Sequence, residues 1–69
     1  ENSPAIESAR RHRLIATFLR FSPTPHWRVT PAPEVTGGTR VEVQDLRFGF
    51  RAIATVDATG QVASTSFSF

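Results

Sequence analysis

The chain has no cysteine, no lysine, no methionine and no tyrosine. Without cysteine it can form neither a disulfide nor a thiolate metal site. That absence does not identify a redox compartment. No apolar run approaches the roughly 20 residues that span a bilayer. There is also no secretory signal pattern of charged start, apolar middle and small-residue cleavage site. No Gly-x-Ser-x-Gly elbow occurs, and neither Lys nor a helix follows Gly37-Gly38, so that pair is a hairpin tip and not a phosphate loop.

With lysine missing, all eight basic residues are Arg. They are unevenly placed. Residues 1–28 hold five Arg against Glu1 and Glu7; residues 29–69 hold Arg40, Arg47 and Arg51 against four acids. A basic front on a near-neutral body can face phosphate, lipid headgroups or an acidic protein, or simply solvent. At 69 residues the chain is one domain or a piece of one. It buries only about 60% of its unfolded surface, so its core is marginal. Six Phe and one Trp must do much of the packing. The chain begins at Glu1 and not at Met, which reads as a fragment cut from a longer protein.

Leu14, Ile15, Phe18, Leu19 and Phe21 cluster on one broad side of a helix at about 100° per residue. Arg10, Arg13, Thr17 and Arg20 fall on the other side as a basic stripe. Ser3-Pro4 is a helix start, Glu7 and Arg11 form an i,i+4 pair, and Pro23 stops the helix near Phe21. The predicted helix therefore covers about 4–21. Its first turns fit poorly, since Ala5, Ile6 and Ala9 do not line up with the later apolar face. This reads as the continuation of something upstream.

Four strands follow, at about 26–30, 39–48, 50–56 and 61–68. Trp27 and Val29 alternate in the first, and Pro31 and Pro33 favour an edge position for it. Residues Pro31 to Gly38 make a loose hairpin connection. Val41 and Val43 share a parity that Leu46 and Phe48 do not, so a β-bulge is expected near Gln44-Asp45. Phe50, Ala52, Ala54 and Val56 share a face, with Ile53 on the other. Asp57-Ala58-Thr59-Gly60 is a turn, with Gly60 left-handed. Ala63, Thr65, Phe67 and Phe69 then face one way, and Ser64, Ser66 and Ser68 the other. Short connections favour antiparallel neighbours. The fold class that follows is α+β, one N-terminal amphipathic helix packed on a four-stranded antiparallel meander sheet, with residues 1–69 a single soluble domain.

Candidate chemistry is sparse. His12 and His26 lack the four-residue helical spacing of paired imidazole ligands and have no carboxylate pair nearby. Asp45 and Asp57 read as bulge and turn residues before they read as an acid and a base. The Arg stripe lacks a recognition-helix pair and an aromatic stacking motif, so nucleic acid is an unfavoured partner. The most distinctive string is Asp45-Leu46-Arg47-Phe48-Gly49. One reading makes its Asp and Arg satisfy each other or the backbone; the other turns them toward a partner segment.

Three strings together resemble the C-terminal region of the membrane-bound metal-dependent hydrolase family of bacterial inner-membrane proteins. They are Ala16 to Pro25, Asp45 to Gly49, and Ala54 to Val62, within a match over roughly residues 9–62. The segment after Gly49 is shorter than that family leads one to expect. The resemblance implies transmembrane helices and a hydrolase site upstream of this fragment, with a divalent metal in the parent protein. None of the family's metal-binding His and Asp positions has a match here. No catalytic, cofactor-binding or metal residue is therefore assigned, and the fragment is not expected to be an enzyme. Asp45, Leu46, Arg47, Phe48 and Gly49 match a motif whose role is unknown. An Arg excess beside a membrane exit implies the cytoplasmic side, with Arg10, Arg11, Arg13 and Arg20 as candidate headgroup or partner contacts, each worth about 1 kcal/mol near the surface.

The expected function is thus a non-catalytic C-terminal domain of such a hydrolase, partnered by the upstream transmembrane region of its own chain. The alternative is a small binding module whose Arg-rich helix face takes anionic lipid, nucleic acid or an acidic protein. Self-association through an edge strand is a further expectation.

Overall fold

Ile6 and Ile15 lie nine residues apart. At 3.6 residues per turn, nine residues make two and a half turns, so one continuous helix would aim these side chains in opposite directions. Both are nevertheless buried in the same core, at 2% and 1% exposure. The computed structural model, which describes residues 4–22 and 24–68, resolves the conflict with a break. Helix α1 runs Pro4–Arg11 and α2 runs Arg13–Phe21. Between them His12 is extended, at φ −68° and ψ 135°. Its Nδ1 accepts the Leu14 N–H at 3.2 Å, capping the second helix. The single predicted helix covers the right residues but is two helices. The misaligned Ile6 and Ala9 are core residues. The proposed Ser3 cap, Pro23 and Phe69 lie outside the described residues.

The strands are β1 Pro25–Ala32, β2 Gly38–Asp45, β3 Arg51–Val56 and β4 Val62–Ser68, in the order β1-β2-β3-β4 with antiparallel pairing throughout. The four-stranded antiparallel meander under helical cover stands as read from the sequence. Val41 pairs with Ala54 and Val43 with Ala52. These four, with Val56, meet Ile6, Ala9 and Ile15 in the core. Small alanines in β3 let the helices approach the sheet closely, while the valines fit its pleated surface. Trp27 pairs with Val43 from the outer strand and packs against the same core.

Three strand details differ from expectation. β1 passes through Pro31, which is tolerated because half the N–H groups of an edge strand make no ladder bond. The connection to β2 is correspondingly short. No bulge forms near Gln44-Asp45; β2 ends at Asp45 and the chain turns. The bulge sits instead opposite Thr55 and Val56, where Thr55 pairs with Ser64 but Val56 with Val62. Ala63 is the extra residue. Val62 therefore takes the core-side place expected of Ala63.

The Asp57 turn forms as predicted. Its Oδ1 accepts from the Thr59 N–H, the Thr59 hydroxyl and the Gln61 N–H, and Gly60 has φ 88°. The Thr59 hydroxyl bond, followed by the Gln61 N–H, holds the Asp57 carboxyl below its ordinary value. In place of the expected Glu7–Arg11 pair, Glu7 meets Arg10 at 3.6 Å, one position short of Arg11. Arg51 pairs with Glu42 at 3.1 Å, and Arg40 pairs with Glu34.

Two outcomes follow. Ile6→Ala and Ile15→Ala should each lower unfolding free energy by about 2–5 kcal/mol in urea titration. Leu14→Ala, nearer solvent, should cost under about 1.5 kcal/mol; equal losses at all three would contradict the divided helix. For Asp57 the folded pKa is depressed, so its stabilisation is complete above the ordinary value of 3.8 and fades as pH falls through the lower folded value. The midpoint of thermal unfolding should drop between about pH 6 and pH 2 by less in Asp57→Asn than in the parent chain.

Candidate functional site

Dividing the helix also divides its apolar face. Ile15 is buried and Leu19 half-buried against the sheet, while Leu14 and Phe21 stay exposed at 43% and 76%. Those two, with Phe18, overhang the end of the sheet where β2 leaves and β3 enters. Below them lies a groove of about 570 Å³. Its other walls come from Phe48 and Phe50 after β2 and from Phe67 near the end of β4. Phe18 and Phe67 lie 6.4 Å apart between ring centroids, and Phe48 and Phe50 6.2 Å apart. The aromatic rings thus stay in contact with one another while keeping much of their area in water.

The string Asp45 to Gly49 builds one wall. Asp45 N–H donates to the Phe50 carbonyl at 2.8 Å, and its own carbonyl accepts from Gly49 N–H at 2.8 Å. Its Oδ1 accepts from Arg47 N–H at 3.0 Å. Gly49 completes the reversal at φ 81°, a conformation that L side chains rarely adopt. The change of parity at Leu46 and Phe48 is therefore an exit from the strand. An Asp side chain that bonds the backbone two residues on diverts the chain from the ladder. Leu46 and Phe48 are exposed, and the Arg47 guanidinium lies 5.1 Å from the Phe48 ring centroid. Asp45 and Arg47 do not pair with each other; the backbone satisfies the one and an aromatic ring receives the other.

Asp45 is buried and borders the groove, as does Ser22. The Ser22 Oγ is buried and has no hydrogen-bond partner among the described residues. Its backbone N–H donates to the Leu19 carbonyl at the end of α2. The recess is lined mainly by apolar side chains, with Thr17, Ser22, Asp45, Arg51 and Ser68 as its polar members.

The Arg residues expected along one helix are divided between two. Arg10 and Arg11 belong to α1, and Arg13 and Arg20 to α2, beyond the break. Arg13 and Arg20 flank Thr17, which lines the groove, four residues before it and three after. Among the described residues no three His, Asp or Glu side chains are grouped to hold a metal, and no helix is long and apolar enough to cross a membrane. The groove itself was missed in the sequence. Its signal was an apolar arc on α2 too wide for one-sided burial, together with phenylalanines at three strand ends.

The described residues form a two-layer α+β domain with an aromatic groove at one end. Comparison with protein families gives the lineage: residues 4–68 match the YfhP C-terminal alpha/beta plait domain, and the chain belongs to that family. This corrects the resemblance to the membrane-bound metal-dependent hydrolases. The string that carried most of that resemblance, Asp45 to Gly49, is a turn whose residues are explained by local hydrogen bonding. No curated protein and no solved structure matches the chain.

Removing the orphan hydroxyl should cost nothing. Ser22→Ala should leave the urea midpoint unchanged or raise stability by about 1–3 kcal/mol. A clear loss would mean that the hydroxyl has a partner within the folded chain.

Proposed function

We propose that this domain is a non-catalytic docking module, C-terminal in its parent protein, whose working surface is the groove between α2, the β2–β3 turn and β4. One observation carries the reading. Leu14, Phe21, Phe48, Phe50 and Phe67 leave 39–76% of their surface in water around a single recess. Continuous apolar exposure on this scale marks an interaction surface, because leaving it wet costs about 25 cal/mol per Å². The description of the family as a C-terminal domain supports attachment to a larger chain. The expectation of a hydrolase upstream, and with it the inner-membrane and cytoplasmic placement, rested on the corrected resemblance and has no separate support.

The rival reading, an Arg-rich helix face as the main contact, is less favoured. The break at His12 places Arg10 and Arg11 on one helix and Arg13 and Arg20 on another, which weakens the case for one continuous basic face.

The test uses an apolar anionic dye, anilinonaphthalene sulfonate. The natively folded chain should bind it saturably. Phe21→Glu and Phe48→Glu replace side chains already more than half exposed. They should abolish the fluorescence while shifting unfolding free energy by about 0.5 kcal/mol or less. Native dye binding that survives both substitutions would place the apolar surface elsewhere.

A further inference from the structure

The two edges of the sheet are treated differently. β1 carries Pro25, Pro31 and the charged Arg28, features that discourage another strand from pairing. β4 has neither proline nor formal charge from Val62 to Ser68. Among the described residues it pairs with β3 alone. Past the bulge at Ala63, from Ser64 to Ser68, its outer side therefore offers a row of backbone donors and acceptors with neither proline nor charge to blunt it. The same strand forms a wall of the groove through Phe67 and Ser68. Open edge and apolar recess are continuous, and Ser22, whose hydroxyl is unpartnered among the described residues, also lines the recess.

The charges favour one kind of occupant. Every described carboxylate is engaged. Glu7, Glu34 and Glu42 sit in ion pairs, while Asp45 and Asp57 accept backbone N–H groups. Among the described residues Arg11, Arg13, Arg20, Arg28 and Arg47 have no carboxylate partner. The Arg47 guanidinium lies over the ring of Phe48, a wall of the groove, and Arg13 and Arg20 are helical neighbours of Thr17, which also lines it. The unneutralised charge near this surface is therefore positive, and a second copy of the chain, at net charge +2, would bring like charges together.

The geometry points to an extended, net-acidic peptide segment of a partner protein, added to β4 as a fifth strand. This rests on the groove being a docking surface. The partner's backbone continues the ladder, and every second side chain is apolar and enters the recess. Its acidic residues occupy the alternate positions, which keeps them off Asp45, the acid bordering the groove. The surrounding arginines supply long-range attraction and select against basic segments.

Anisotropy titrations of the 69-residue chain with labelled peptides of roughly eight residues would test this. One peptide alternates Val and Glu, a second Val and Lys, and a third is the first with two internal prolines. The Val/Glu peptide should bind at least about tenfold more tightly than either of the others, and more weakly as salt rises from about 50 to 300 mM. Phe21→Glu should weaken it at least about tenfold. Equal affinity for the Val/Glu and proline peptides, with both lost in Phe21→Glu, would overturn strand addition while leaving the groove as a docking surface. Failure of all three peptides, together with dye binding unaffected by Phe21→Glu, would overturn both. A homodimer at micromolar concentration in sedimentation would replace the partner with a second copy. Phe21-dependent binding to phosphatidylglycerol vesicles, without peptide binding, would replace it with a membrane.

Discussion

Two isoleucines on a short helical stretch must reach one core, and the spacing between them forbids a straight helix. Burying an Ile side chain contributes about 1.5–3 kcal/mol, a large share of the total for a domain of this size. Interrupting the helix costs a hydrogen bond or two, and the His12 imidazole restores part of that as a cap. Packing wins over helical continuity. The break then sets where α2 points. With Ile15 fixed on the sheet, Leu14 and Phe21 have no sheet beneath them and overhang the groove.

The groove is thus a consequence of core packing at the other end of the same helix. A second constraint shapes its far wall. Asp45 ends β2 with three hydrogen bonds, two through its backbone and one through its carboxylate, and so fixes where Phe48 and Phe50 leave the sheet. The aromatic rings then pair across the recess and along its rim. Core, turn and groove form one connected arrangement in which the exposed surface is held by buried groups.

Much of the fold was legible in the residues. The alternation in β3, the Asp57-to-Gly60 turn and the prolines that push β1 to an edge all act within a few positions, where local rules are strong. The helix break is hard to see in the sequence because His is an unremarkable helix residue; its one clue is the phase of Ile6 and Ala9 against the later apolar face. The parity change after Val43 reads as a bulge in the sequence, but β2 ends at Asp45 and the hydrogen bonds of Asp45 turn the chain out of the sheet. The bulge that does occur, at Ala63, depends on pairing with Val56 and leaves no trace in the Ser/Thr alternation of β4. The groove is tertiary, assembled from elements up to about fifty positions apart, and local patterning gave only its ingredients. The family resemblance failed because a turn-forming string was weighed as a lineage marker.

Nuclear Overhauser contacts from the methyl groups of Ile6 and Ile15 test the account most directly. Both residues should show contacts to methyls of the Val41, Val43, Ala52 and Ala54 cluster in the same sample. A set in which only one isoleucine contacts that cluster while the other faces solvent would restore the continuous helix, and would remove the reason for the overhang and the groove.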